Sequence, residues 1–300
     1  MKNRINLLVI LAALFASPSL MASINVFACE PEWASLVDEL GGERVTSYSA
    51  TTAYQDPHHI EARPSLIAKI RRADLVVCSG AELEAGWLPL LLKQASNVNL
   101  LPGKSGYFEA SQQVERLDIP TKADRSQGDI HMAGNPHVHL DPRRVQTIAT
   151  ALTARLGVID SEGANYYQQR LADFNQRWQQ AMVNWQQQAG ELKGKRIVVH
   201  HRDWVYLFDW LGIEIVGSLE PKPGLPTSAG HLSMLKQKLE TAPASLIVRT
   251  PYQNPRAANR LSKLTNTPVA VLPYTVGGDE EVENLFDLFS VMIKKLKGEL

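Results

Sequence analysis

Seven of the eight histidines in this 300-residue sequence fall into three short stretches. These stretches hold His58 and His59, then His131, His137 and His139, and then His200 and His201. Imidazole is a frequent metal ligand, and three imidazoles with one carboxylate suit a tetrahedral Zn²⁺ site, whereas Mn²⁺ favours more oxygen ligands. The histidine distribution therefore predicts a metal site, with Zn²⁺ preferred over Mn²⁺.

A candidate carboxylate ligand follows the last predicted strand, in the sequence Val276-Gly277-Gly278-Asp279. The two glycines allow a tight turn, which could bring Asp279 back to the strand ends. Asp279 is also placed to cap a helix predicted over Glu280–Leu296, and the two roles are compatible.

The elements that must bring these residues together alternate between short β-rich runs and helical patterns, which indicates parallel sheet. The predicted strands are Ile24–Cys29, Val45–Ala50, Leu75–Gly80 and Asn97–Leu101 in the first half, and Arg196–His200, Glu214–Leu219, Ser245–Thr250 and Pro268–Leu272 in the second. Ligands of open α/β sheets collect at the carboxyl ends of strands, where the first and third histidine groups lie. We therefore predict an α/β fold with two lobes and a shared cleft.

A stripe of apolar residues separates the two strand sets. Its members recur at steps of three and four, the spacing of one helix face: Tyr167, Leu171, Phe174, Trp178, Met182 and Trp185. A core helix inside one domain would show the same stripe, but its position favours a helix that connects the lobes. The predicted division is an N-terminal lobe over 23–158, a linking helix over 159–193 and a C-terminal lobe over 194–300.

Residues 1–22 have the order of a secretory signal peptide: Lys2 and Arg4, the apolar run Leu7–Ala16, and the small residue Ala22. The run is about half of the ~20 residues that a membrane-spanning helix needs. No cysteine lies at the expected cleavage point, which argues against a lipid anchor. The sequence predicts an exported protein that diffuses freely in a bacterial periplasm.

Charge and cysteine content exclude other classes of protein. Lys plus Arg and Asp plus Glu both number 31, so no basic excess is available for nucleic acid. Cys29 and Cys78 end two predicted strands, and in an oxidising compartment they could form a disulfide if the strands are neighbours. Two buried free thiols are the alternative.

Several short motifs together resemble one family, the periplasmic zinc- and manganese-binding proteins of ABC importers, also called cluster A-I or cluster 9 solute-binding proteins. The motifs are Asp56-Pro57-His58 with Arg63-Pro64-Ser65, Ala73-Asp74-Leu75-Val76-Val77, Asn135-Pro136-His137 with Leu140-Asp141-Pro142, His201 with Trp204 and Tyr206, and Val276-Gly277-Gly278-Asp279. The resemblance covers the chain after the signal peptide. It implies two lobes, each a four-stranded parallel sheet with flanking helices, joined by a long rigid helix with the metal between them.

The resemblance also implies a ligand set of His58, His137, His201 and Asp279. The family's first two ligands directly follow a proline, and its third precedes an aromatic residue by three positions and a tyrosine by five. Histidine in the third place is typical of the zinc binders, and glutamate of the manganese binders. The implied function is capture of Zn²⁺ by a monomer and its delivery to an ABC permease, with a periplasmic zinc chaperone as a further partner and no enzymatic activity.

The sequence departs from the family at two histidines. Zinc-importing members often carry a long His-rich acidic loop before the second ligand, but Gly103–Gly134 contains only His131. His139 stands where relatives often have an aromatic residue. Both could capture metal or pass it inward, or they could be exposed loop residues. His231 is expected to be structural or solvent-facing.

Two other functions compete with import. A secreted zinc hydrolase would leave one metal position open for water, but the sequence contains no His-Glu-x-x-His motif and Asp279 would fill that position. A periplasmic metal buffer or chaperone, or an adhesin, could be built on the same fold without a permease.

Overall fold

The computed structural model describes residues 23–121 and 131–299. The predicted signal peptide lies outside the described residues. Within them, the chain forms two four-stranded parallel sheets with flanking helices and a long helix between the two lobes, as predicted. No helix in these two ranges combines the length and the apolar character needed to cross a bilayer.

The N-terminal sheet has the strand order β2-β1-β3-β4. Its elements are β1 (Ile24–Ala28), α1 (Pro31–Gly41), β2 (Val45–Ser49), α2 (Pro64–Arg71), β3 (Leu75–Cys78), α3 (Leu88–Ala95), β4 (Tyr107–Glu109) and α4 (Pro142–Ile159). All four residues of β3 are buried. A continuous apolar strand of this kind is expected where helices cover both faces of a parallel sheet.

The C-terminal sheet repeats this arrangement with the order β6-β5-β7-β8. After α5 (Ala164–Gln188) come β5 (Arg196–Val199), α6 (Val205–Leu211), β6 (Glu214–Ser218), α7 (Ala229–Thr241), β7 (Leu246–Arg249), α8 (Pro255–Thr265), β8 (Val269–Val271) and α9 (Leu285–Lys297). In both sheets the first strand of the lobe is central, so its carboxyl end lies in the middle of the sheet edge. That edge is where the metal site was expected.

One predicted strand is wrong. The segment expected as the fourth strand, Asn97–Leu101, contains a short 3₁₀ turn over Val98–Leu100, because the Asn97 side chain accepts a hydrogen bond from the Asn99 amide. The fourth strand is β4, which pairs in parallel with β3. A prediction from the apolar residues alone therefore assigned the fourth strand to the wrong segment. The asparagine that caps the 3₁₀ turn was the signal against a strand.

Helix α5 carries the predicted apolar stripe and packs against both lobes. It contacts α1 and α4 of the N-terminal lobe and α9 of the C-terminal lobe. Trp178 donates an indole hydrogen bond to the Pro142 carbonyl, and Trp185 donates one to the Ser290 hydroxyl. A single apolar core runs from the N-terminal sheet past α5 to α9. The 25-residue helix is about 38 Å long.

A disulfide joins the ends of two neighbouring strands in the N-terminal lobe. Cys29 follows β1 and Cys78 ends β3, with the two Cα atoms 4.8 Å apart. The backbone amide of Cys29 also bonds the Val77 carbonyl, which fixes the register of the two strand ends. The alternative of two buried free thiols is therefore wrong for this structure.

We expect material recovered from the periplasm to contain no titratable thiol, because both cysteines are fully buried in the bridge. Thiol titration under denaturing, non-reducing conditions checks this. The same titration after reduction should release two thiols and serves as the control. Two thiols without reduction would contradict the expectation.

Candidate metal centre

Three of the four predicted ligands lie together between the lobes. His58 is on the loop after β2, His137 precedes α4, and His201 follows β5. A nitrogen atom from each ring lies within 4.8 Å of a nitrogen from the other two. The ring centroids are 5.8 Å, 5.6 Å and 5.9 Å apart, which is close to an equilateral triangle.

Carboxylates orient two of these rings. The Nδ1 atom of His58 lies 2.8 Å from Asp56 Oδ1, and the Nδ1 atom of His201 lies 2.6 Å from Glu220 Oε2. A proton on Nδ1 that is donated to a carboxylate leaves the lone pair on Nε2. Histidines that bind a metal usually have such a partner on the ring nitrogen that does not bind the metal. The partner fixes the tautomer and makes the ligand nitrogen more basic.

The third ring is held by a tyrosine from the other lobe. Tyr274 follows β8, and its hydroxyl oxygen lies 2.7 Å from His137 Nδ1. His137 Nε2 is buried without a hydrogen-bond partner, as is the Oδ1 atom of Asp203, which lies 3.7 Å away. Two unpaired buried polar atoms that face each other would both be satisfied by a cation between them.

Asp203 is a carboxylate that the sequence analysis missed. It lies two residues after His201, in a 3₁₀ turn over Arg202–Trp204, and it is fully buried. Gln253 donates a hydrogen bond to its Oδ2 atom, which leaves Oδ1 directed at the histidines. A carboxylate two positions beyond a candidate ligand, ahead of a buried tryptophan, was the signal that could have found it.

The fourth predicted ligand, Asp279, is not brought into the histidine cluster. Its carboxylate pairs with Lys295 at 2.9 Å and accepts the Glu281 amide. The prediction that Asp279 caps a helix is wrong, because α9 begins at Leu285 and the Asn284 side chain accepts the first amides of that helix. Residues 279–284 form an irregular loop before α9, and Lys295 on α9 pairs with Asp279 there.

The histidines of the site differ in the direction in which their pKa values are shifted. Burial lowers the pKa of His137 well below its usual value, and the neighbouring imidazoles add to this effect. Burial also acts to lower the pKa of His201, but Asp203 and Glu220 outweigh it and raise the value to about 9. Burial raises the pKa of Asp203, while His201 opposes that shift. A divalent cation would therefore replace a proton on His201.

The cluster does not include His59, His139, His200 or His231. His59 is exposed, whereas His200 lies beyond Glu220, with 4.0 Å between its Nε2 atom and Oε1. His139 is not an exposed loop residue: it is fully buried, and its Nε2 atom lies 3.0 Å from the Tyr274 carbonyl. His231 is structural, with its ring bonded to the Ser218 carbonyl.

A small cavity of about 50 Å³ adjoins the cluster, and its lining consists of His58, His59, His201, Asp56, Glu220, Gly224, Tyr252 and Gln253. A cavity of roughly 10–15 Å³ holds one water. This space therefore fits an ion with a few water molecules, and its polar lining suits that content.

The turn after β3 lies beside the site and is built on a buried glutamate. Glu84 accepts backbone hydrogen bonds from Ser79 and Gly80, and the carboxylate of Glu30 also bonds Ser79. Burial raises the pKa of Glu84 to about 7, although the backbone hydrogen bonds oppose the shift. Burial and Glu84 together raise the pKa of Glu30 well above its usual value.

The raised pKa of Glu84 predicts a loss of stability with rising pH. In the unfolded chain this carboxyl ionises near 4.5, but in the folded chain it does so near 7. The folded state thus binds more protons between these values, and the free energy of unfolding should fall by at most about 1.4 kcal/mol per pH unit for this group. Chemical denaturation in the presence of a chelator measures this dependence. Between pH 5 and 7, the free energy of unfolding of Glu84→Gln should change less with pH than that of the wild type. Exposed Glu61→Gln is the control, and equal slopes in all three proteins would contradict the prediction.

Comparison with known proteins agrees with the geometry. The family described as "ZnuA: Zinc-uptake complex component A periplasmic" matches residues 26–298. The manganese ABC transporter substrate-binding lipoprotein PsaA of Streptococcus pneumoniae is 23% identical over 280 residues, which cover 92% of this chain and 88% of that protein. The high-affinity zinc uptake system protein ZnuA of Yersinia pestis is 25% identical over 222 residues, 70% of each chain.

Solved structures show the same fold. A crystal structure of ZnuA superposes with a TM-score of 0.76 at 19% identity and covers 93% of this chain and 100% of that one. A Mn-bound periplasmic metal binding protein from Candidatus Liberibacter asiaticus gives a TM-score of 0.74 at 15% identity, with the same coverage. The family consists of solute-binding proteins rather than enzymes, and such proteins work with the permease and ATPase of an ABC importer. This chain belongs to the ZnuA family of extracytoplasmic metal-binding proteins.

Proposed function

We propose that this protein captures Zn²⁺ in the periplasm with His58, His137 and His201 and delivers it to an ABC permease. The observation that carries the proposal is the pairing of every Nδ1 atom in the cluster with an oxygen, from Asp56, Tyr274 or Glu220. Each ring can then present Nε2 to one ion without a change of tautomer. Such pre-orientation lowers the cost of binding.

The donor set favours zinc over manganese. Imidazole nitrogen suits Zn²⁺, while Mn²⁺ prefers carboxylate, carbonyl and water oxygen. The relatives are named for both metals, so their names do not decide between them. The choice for this chain rests on three nitrogen donors, one of them, His201, at the place where the manganese binders carry glutamate.

The proposed ligand set differs from the one implied by the resemblance at Asp279. To reach the ion, this carboxylate would have to leave Lys295. The buried carboxylate that already faces the histidines is Asp203, and its charge offsets that of the cation. We therefore expect Asp279→Ala to leave zinc affinity within a small factor of the original.

Metal analysis of the protein purified from periplasm tests the zinc assignment. We expect about one zinc per chain, and competition should show that excess Mn²⁺ does not displace it. Protein that retains manganese in preference to zinc, or that retains no metal, would contradict the proposal.

Growth at limiting zinc tests delivery to a permease. A strain without the gene should grow poorly, and the wild-type gene should restore growth whereas His201→Ala should not. A buffer or adhesin role predicts that growth at limiting zinc is independent of the gene.

A further inference from the structure

We infer that His139 is a positioning residue of the metal centre: it holds Tyr274 in place, and Tyr274 in turn orients the ring of His137. This inference rests on the proposed metal-binding function and deepens it. Both histidines belong to the segment that leads into α4 of the N-terminal lobe, whereas Tyr274 follows β8 of the C-terminal lobe. The contacts between them therefore join the two lobes beside the site.

Two hydrogen bonds hold Tyr274 from the other lobe. Its hydroxyl oxygen lies 2.7 Å from His137 Nδ1, and its backbone carbonyl oxygen lies 3.0 Å from His139 Nε2. Both imidazole rings stand nearly perpendicular to the tyrosine ring, at centroid distances of 5.5 Å and 5.0 Å. One histidine thus fixes the tyrosine at its backbone, and the other meets its hydroxyl group. A shift of the backbone at Tyr274 would move the hydroxyl that orients His137.

A buried carboxylate on α1 supports His139 from behind. Glu32 Oε1 lies 3.2 Å from His139 Nδ1, and Glu32 Oε2 accepts a hydrogen bond from the Thr275 hydroxyl. His139 and Glu32 are both fully buried. Glu32 therefore contacts His139 on its own lobe and the residue next to Tyr274 on the other. The pair fixes this part of the C-terminal lobe at two adjacent residues.

Histidine suits this position because imidazole has a nitrogen atom on each side of the ring. Nε2 donates to the Tyr274 carbonyl, while Nδ1 faces Glu32. Phenylalanine would fill similar space beside Trp33, whose ring centroid is 6.1 Å away, but it would remove the donor to the carbonyl. A buried carbonyl that loses its donor is costly, so the backbone of Tyr274 should move to find another partner.

A cycle of zinc affinities, measured on the exported protein by competition with a chelator, tests the inference. Tyr274→Phe removes the hydroxyl and should weaken zinc binding by about 10- to 100-fold, the usual cost of losing a partner of a metal-bound histidine. His139→Phe should weaken it by about 10-fold, at the lower end of this range, because it acts through Tyr274. The double variant should bind zinc as tightly as Tyr274→Phe does, since the hydroxyl that His139 positions is then already absent.

His139→Gln is the matched control. Its side-chain amide offers an N–H donor that can bond the Tyr274 carbonyl, so it should regain most of the affinity that His139→Phe loses. Melting of each variant in chelator measures folding separately from zinc binding. If His139→Phe does not fold, His139→Leu takes its place in the cycle, because leucine also lacks a donor.

Three results would overturn the positioning role of His139 and leave the zinc function intact. These are an unchanged zinc affinity in His139→Phe, equal affinities of His139→Phe and His139→Gln, and losses that add in the double variant. Addition of the losses would show that His139 acts without Tyr274. Absence of zinc binding in the wild type would overturn both the positioning role and the proposed function.

Discussion

Replacing His201 with alanine should weaken zinc binding by about 100- to 1,000-fold, because structural zinc sites bind with roughly 10–16 kcal/mol, which is about 2.5–4 kcal/mol for each of the four ligands of a tetrahedral site. His200→Ala should change the affinity by no more than a small factor. The two residues are adjacent, but only the His201 ring belongs to the cluster, while His200 lies beyond Glu220. Competition with a chelator of known zinc affinity measures both variants.

The same contrast applies to the other adjacent pair. His58→Ala should cost about as much as His201→Ala, whereas exposed His59→Ala should be nearly silent. Equal losses of zinc affinity within either pair would contradict the assignment of a single member of that pair as the ligand. That result would leave open a zinc function with different ligands.

Zinc should raise the thermal stability of the protein markedly. The cluster combines His58 and His137 with His201 from the other lobe, so metal should bind the native chain far better than the unfolded one. The expected gain in the free energy of unfolding is about 4 kcal/mol at a thousandfold excess of free zinc over Kd. Melting curves with and without zinc, monitored by circular dichroism, measure it.

His201→Ala is the control for this effect. At the same zinc concentration the variant should show little increase in melting temperature, while its melting in chelator should stay close to that of the wild type. Acid should also reduce the gain, because protons compete with metal for imidazole. A melting temperature that zinc leaves unchanged at neutral pH would contradict a site shared by the lobes.

Much of the fold could be predicted from the sequence because hydrophobic periodicity reports burial directly. The alternation of strands and helices, and the apolar stripe of α5, depend only on which faces are covered. β4 was not predicted because it is an edge strand of only three residues, and the segment Asn97–Leu101, with three apolar residues, was chosen in its place. Local capping by Asn97 decided the outcome.

Only those site residues that are marked by their neighbours in the sequence could be predicted. A proline before His58 and before His137 marks each loop, and the aromatic residues after His201 mark the third. The place of Asp279 depended on where α9 begins and on the pairing with Lys295, which is a contact between distant residues.

The continuous core around α5 has a consequence for the exchange of the ion with solvent. Swinging the lobes apart would expose fully buried side chains such as Trp178 and Phe289, at about 25 cal/mol for each Å² of apolar surface. The loop that carries His58 is only partly buried, whereas Val138 and Leu140 beside His137 belong to this core. We therefore expect the exchange of a bound ion with solvent to depend more on motion of the His58 loop than on separation of the lobes, so that a permease that speeds release would act on that loop.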